Sequence, residues 1–175
     1  MDFLAKLDPD FKAKLIELQG SLKEEGFDVR PYCGIRHPID QAKEWRKSRS
    51  TEEIVTKIAW LRARKAPHLA ACLEKAGPQY GKPTTKSLPG FSWHQWGEAC
   101  DFMVIGVNGK AQWFAESPAY IALATKARLM GLKPGRDFGD PPHIQKREIE
   151  LPRLFTPEVV DKEMLTRYPD LASLI

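Results

Sequence analysis

Within the run Ser92-Trp93-His94-Gln95-Trp96-Gly97-Glu98-Ala99-Cys100-Asp101 a histidine and a carboxylate stand at a spacing suited to one metal ion. A second histidine, His143, follows later behind an acidic residue. Neutral imidazole nitrogens and a carboxylate oxygen are ordinary ligands of Zn²⁺, and a catalytic zinc usually keeps three protein ligands and leaves the fourth position to water. His94, Asp101 and His143 would supply such a set. Read singly, each histidine also fits a hydrogen-bonded packing role, and His94 sits directly beside Trp93.

The surrounding pattern is more specific. Ser-x-His-x-x-Gly-x-Ala-x-Asp is filled at every fixed position from Ser92 to Asp101, and it resembles the zinc signature of the D-Ala-D-Ala peptidase group of metallopeptidases. That family shares its fold with the hedgehog signalling domain. Asp140-Pro141-Pro142-His143 resembles the family's second element, an acidic residue three positions before the last ligand. Asp140 stands where the dipeptidases carry Glu, which is closer to the phage endopeptidase branch. A third element, an arginine in a strand-to-helix loop with a glutamine five residues on, is matched by Arg36 and Gln41. Cys33 occupies a position where the family usually has a small hydroxyl residue. The resemblance implies an α+β fold in which a small central antiparallel sheet, flanked by helices, holds one zinc ion.

It also implies roles. A zinc ion lowers the pKa of water from about 15.7 to about 7. Asp140 is then expected to act as general base and afterwards as general acid, a contribution on the order of 10²–10⁴-fold. Asp137 competes for that role, but the family's spacing favours Asp140. Arg36, a fixed cationic fork, is expected to donate hydrogen bonds to the developing oxyanion; its plainer alternative is a surface salt bridge. Ser92 and Gln41 match positions that orient substrate or support the site, and either would serve equally by capping a turn or satisfying backbone. Trp93 and Trp96 bracket the first ligand and read as aromatic packing behind the metal. His37 and His68 have no partners in sequence and are not expected to be ligands.

Length and composition are consistent with this reading without requiring it. A chain of 175 residues is most simply one domain, long enough to bury a core without disulfides. Cys33, Cys72 and Cys100 show no paired spacing, so buried free thiols are expected instead of a disulfide or cysteine-zinc site. The net charge of +4 is mild, and the basic residues interleave with acids, so nucleic acid is a poor partner. No apolar run has the length of a signal-peptide core or a membrane span. The chain is therefore expected to be made in a host cytoplasm and to act on the wall after release, as a monomer.

The elements that must position these residues can be sketched. Asp8-Pro9 opens a helix whose Phe11, Leu15, Leu18 and Leu22 recur at helical spacing, and Gly26 ends it. Phe27 to Cys33 reads as an edge strand, because Pro31 cannot donate to a ladder, and delivers Arg36 into a loop. Asp40 to Lys47 reads as a helix. Ser50 and Glu53 form a capping box for another, with Ile54, Ile58 and Leu61 on one face. The basic stretch near Trp60 and His68 reads as a solvated helix face. Gly77 to Gly90 is a surface loop. Glu98 to Val107 reads as a strand that points Asp101 away from Cys100, Phe102 and Val104, followed by a turn at Asn108-Gly109. Ser117-Pro118 caps a helix carrying Leu123, Ala127 and Met130. Lys133 to Pro142 is turn-rich, His143 to Gln145 begins a last strand, and Thr156-Pro157 caps a terminal helix.

The expected activity is a zinc-dependent peptidoglycan peptidase, an endolysin cutting the stem peptide between L-Ala and D-Glu. A D,D-carboxypeptidase or dipeptidase acting on D-Ala-D-Ala termini is the enzyme alternative. A non-catalytic, zinc-stabilised binding domain is the alternative from another class.

Overall fold

The computed structural model describes residues 2–175. In chain order its elements are α1 (Pro9–Glu24), β1 (Val29–Cys33), α2 (Pro38–Arg46), α3 (Thr51–Ala63), α4 (Pro67–Lys75) and β2 (Ala99–Ile105). After them come β3 (Ala111–Gln112), α5 (Pro118–Leu129), β4 (Lys133–Pro134), β5 (His143–Gln145), α6 (Leu151–Leu154) and α7 (Pro157–Arg167). Short 3-10 turns lie at Trp93–Trp96, Gly135–Phe138 and Pro169–Leu174. The class is α+β, as expected. Two compact units divide the chain, one formed by the stretch up to Ile35 with Trp96–Glu148, the other by Arg36–Gln95 with Ile149–Ile175. Among the described residues, no helix is long and apolar enough to cross a membrane.

The first unit holds the sheet, an antiparallel array in the order β1-β2-β5-β4 with β3 also pairing β2. Its apolar face is covered by α1 and α5. Phe11, Leu15, Leu18 and Leu22 of α1 pack in one cluster with Cys100, Phe102 and Val104 of β2, Ile144 of β5, and Leu123 and Ala127 of α5. Each fully buried leucine contributes roughly 2 kcal/mol. That exceeds the cost of about 1 kcal/mol for a glycine inside a helix, so α1 tolerates Gly20. The buried Tyr120 hydroxyl donates to the Phe102 carbonyl at 3.1 Å and ties α5 to β2.

The second unit is helical. Ser50 and Glu53 form the expected capping box on α3, and Trp60 of that helix lies between Lys57 and Arg64, their cations 4.8 and 4.4 Å from its ring centroids. Helix α4 has no cap of its own, since Ala66 stands at its N-cap and Pro67 opens it. The buried Asp161 of α7 supplies the missing acceptor, receiving the Leu69 amide at 2.8 Å and contacting His68 Nδ1 at 2.7 Å. A carboxylate at a helix N-terminus satisfies orphan amides and complements the helix dipole. His68 is thus a structural residue whose partner lies 93 positions away in sequence.

Several boundaries differ from expectation. Helix α2 starts at Pro38 instead of Asp40, because proline suits the first helical position and the His37 side chain accepts the Ile39 amide as a cap. Strand β4 lies in the stretch read as turn-rich; at two residues it is too short to show alternation. Cys72 and Cys100 are buried free thiols, but Cys33 is half-buried, because β1 is an edge strand whose pairing is irregular between Pro31 and Cys33.

Asp8 caps α1 through the Phe11 amide at 2.9 Å and pairs with Lys146 Nζ at 2.7 Å. The Lys146 hydrogen bond, followed by the Phe11 amide, holds its carboxyl below the ordinary value. A depressed carboxylate stabilises fully above its unfolded pKa, and this contribution fades as pH falls through the folded value. Asp8→Ala is therefore expected to lower unfolding free energy by about 1 kcal/mol at neutral pH. Urea titrations of the two proteins should converge once the pH lies below the folded Asp8 value.

Candidate metal centre

The centre is built on the pairing of β2 with β5. In this antiparallel ladder Asp101 lies opposite His143, and Cys100 lies opposite Ile144. Side chains alternate between the faces of a strand. Burial of Cys100, Phe102 and Ile144 in the core therefore turns Asp101 and His143 to the other face, where His143 Nδ1 comes within 2.9 Å of Asp101 Oδ1. Asp140 joins them, and one potential ligand atom from each of Asp101, Asp140 and His143 lies within 4.8 Å of the others.

A second contact orients the imidazole. Gln145 Nε2 donates to the Arg147 carbonyl, which turns Gln145 Oε1 toward His143 Nε2 at 3.0 Å. An acceptor at Nε2 requires the proton there, so in the neutral ring the lone pair sits on Nδ1. That lone pair faces the Asp101 carboxylate, and two acceptors at hydrogen-bonding distance need a positive charge: a proton or a metal ion. Burial opposes a charged His143, but the hydrogen bond and charge of Asp101 and the charge of Asp140 outweigh it and raise its pKa above the ordinary value. The Asp101 carboxylate and the His143 nitrogen are donors that suit a divalent cation such as zinc, with the Asp140 carboxylate beside them. Histidine ligands commonly donate their other ring N–H to such a partner.

Asp140 is exposed and carried by a tight loop. Its amide donates to the Gly135 carbonyl at 2.9 Å, and the His143 amide donates to the Asp140 carbonyl at 3.0 Å. A Cβ at Gly135 would come within 2.6 Å of His143 Cβ and press on the Asp140 carbonyl, so only glycine lets this backbone pass. Asp137, the rival for the base, is engaged by Arg128 and by Lys133 Nζ at 3.1 Å, and the Arg128 hydrogen bond above all holds its pKa down. It lies outside the Asp101-Asp140-His143 group.

The remaining sequence candidates belong to the second unit. His94 is buried in the turn Trp93–Trp96, and its carbonyl accepts the Arg36 amide at 3.3 Å. Arg36 Nη1 donates to Gln41 Oε1 at 3.0 Å. Gln41 is fully buried; its Nε2 donates to the Ser87 carbonyl at 2.8 Å, and its Oε1 also accepts Gln95 Nε2 at 3.3 Å. Ser92 and Gln95 close the turn on themselves, the Ser92 amide donating to Gln95 Oε1 and the Gln95 amide to the Ser92 carbonyl. Gln41 thereby fixes the guanidinium of Arg36, which offers donors in a rigid fork. His37, two residues into the same loop region, caps α2 and faces Asp170 at 3.1 Å.

The sequence profile described as VanY, D-alanyl-D-alanine carboxypeptidase, matches residues 4–134. The chain belongs to this family. It is an enzyme, a peptidase of a family that cleaves peptidoglycan peptides. The matched stretch takes in Arg36, Gln41, Ser92, His94 and Asp101 and ends before Asp140 and His143. No curated protein matches the chain at the sequence level. Similar solved structures include a Zn(II) complex of the vancomycin resistance D,D-pentapeptidase VanY from a VanB-type resistance cassette. It has 19% identity, a TM-score of 0.46 and coverage of 79% of this chain and 71% of that one. The LdcB LD-carboxypeptidase has 15% identity, a TM-score of 0.44 and coverage of 93% and 68%. An L,D-carboxypeptidase DacB from Streptococcus pneumonia has 19% identity, a TM-score of 0.40 and coverage of 94% and 74%.

Sequence reasoning passed over Gln145 and Gln95. Gln145 follows His143 by two residues on a strand, so it shares its face, a signal visible once β5 is assigned. Replacing Gln145 with Leu removes the acceptor at Nε2. Affinity for a divalent metal, read by competition with a chromogenic chelator, is expected to fall about 10–100-fold while far-UV circular dichroism is retained.

Proposed function

We propose that this chain is a zinc-dependent peptidoglycan peptidase of the phage endolysin type, hydrolysing the stem peptide at the L-Ala-D-Glu bond. The observation that carries the reading is the meeting of Asp101, Asp140 and His143, with His143 Nδ1 2.9 Å from Asp101 Oδ1. The pattern from Ser92 to Asp101 supports His94 as the third protein ligand of one zinc ion, beside Asp101 and His143. Asp140 in the position where dipeptidases carry Glu supports the endopeptidase bond.

Bound to that set, zinc would supply Lewis acidity toward water and the scissile carbonyl. The chain's own residues do the rest. Asp140 stands in the group with Asp101 and His143, whereas Asp137 is engaged by Arg128 and Lys133, so Asp140 is the carboxylate placed to take a proton from the attacking water and return it to the leaving amine. Arg36, held by Gln41, would hydrogen-bond the oxygen on which negative charge develops. The buried turn Ser92–Gln95 supports Arg36 through the His94 carbonyl.

The carboxypeptidase reading, release of terminal D-Ala by the same chemistry, is favoured by the description of the family itself. Mass spectrometry of purified sacculi digested with the zinc-loaded protein separates the two. A new N-terminal D-Glu, lost on chelation, is the expected product; D-Ala as sole product would assign the carboxypeptidase, and no product at all would sink both. Asp140→Ala is expected to retain zinc while losing turnover by at least about 10²-fold.

A further inference from the structure

We infer that the C-terminal segment from Ile149 to Ile175 is a positioning element for the turn that carries His94, with Tyr168 as its central residue. This rests on the reading of His94 as a metal ligand. The segment lies beyond the residues matched to the family, which end at 134, and the proposed chemistry gives it no task.

Three ties join it to the turn. The Tyr168 hydroxyl donates to the Gln95 carbonyl at 2.9 Å, and Trp93 Nε1 donates to the Ile149 carbonyl at 3.2 Å. The residues on either side of His94 are thus both held by one segment. Upstream, Gly90 lies under α7 with φ +80, and a Cβ there would come within 2.6 Å of Val160 Cγ1 and 3.1 Å of Met164 Cγ. A side chain at Gly90 would lever the loop off the helix.

The same segment reaches the start of α2. The Tyr168 ring packs edge-on against His37 with centroids 4.9 Å apart and planes at 85°, and Asp170 Oδ2 lies 3.1 Å from His37 Nε2. His37 precedes α2, whose Gln41 fixes Arg36, and the Arg36 amide donates to the His94 carbonyl. Tyr168 therefore sits between the two backbone stretches that present His94 and Arg36. Burial pushes its phenol up to about 12, so it remains a donor across the neutral range.

A turn that bears one ligand binds metal tightly only if its geometry is fixed before the metal arrives; otherwise part of the binding free energy is spent ordering it. Tyr168→Phe keeps the ring and removes the hydroxyl. One net hydrogen bond corresponds to about a fivefold change in an equilibrium constant.

The test compares wild type, Tyr168→Phe and Thr166→Ala, the last an exposed change on α7. Zinc affinity by chelator competition should weaken about fivefold in Tyr168→Phe, and amide exchange across residues 93–97 of the metal-free protein should quicken by a similar factor. Thr166→Ala should leave both readings at wild type. A Tyr168→Phe protein with a lower Tm but unchanged zinc affinity and exchange would make the residue merely structural and overturn the inference. If wild type binds no zinc, the metal reading of His94 falls, and exchange in the metal-free proteins alone decides: faster at 93–97 supports the positioning role, unchanged overturns it.

Discussion

The centre depends on one register, the pairing of Asp101 on β2 with His143 on β5. Strand pairing has a period of two, so a slip of one residue in either strand would turn Asp101 or His143 into the core and bring Cys100 or Ile144 out. What prevents the slip is apolar burial on the far face. Cys100, Phe102, Val104 and Ile144 are packed against α1 and α5, and exposing any two of the larger ones would cost several kcal/mol, roughly 1.5–3 kcal/mol each. The hydrophobic face of the sheet thus fixes the chemistry of its polar face. Cys100 illustrates the division: burial, then the Asp101 charge, raises its thiol far above the usual range and leaves it inert.

In the second unit the organising group is an amide. Gln41 is fully buried, and its side chain accepts from Arg36 and Gln95 while donating to Ser87. A buried amide left partly unsatisfied costs about 1–3 kcal/mol, so a network of this kind is stable only when complete. Completeness makes it rigid, and rigidity is what the role proposed for Arg36, meeting a charge present only in the transition state, would require. Arg36 is half-buried, and the hydrogen bond from its Nη1 to Gln41 Oε1 orients the guanidinium.

The sequence made legible whatever rests on local rules. The cap and apolar stripe of α1, the capping box of α3, the alternation of β2 and the caps of α5 and α7 all follow from contacts within a few residues of one another. The candidates Asp101, Asp140 and His143 were legible for another reason: a spaced pattern of chemically unusual residues carries family information that periodicity lacks. Asp161 capping α4, Tyr168 reaching Gln95 and the two-residue strand β4 were not legible. The first two are pairings across about 70 to 90 positions with no local signature, and the last is too short to alternate. His68 shows the consequence: judged alone it lacks a partner, and its partner comes from the far end of the chain.

The cluster on the sheet is unfavourable as an isolated arrangement, and this is informative. Two carboxylates beside one imidazole repel each other, and the hydrogen bond and charge of Asp101 and the charge of Asp140 raise the His143 pKa against its burial. A divalent cation among these groups would offset that repulsion. Gln145 adds to the case, since by holding Nε2 it aims the Nδ1 lone pair at the carboxylates instead of relieving the repulsion. On the proposed reading a divalent cation would take the place of a proton among these groups, and the ladder behind them supplies the stability that such an arrangement consumes.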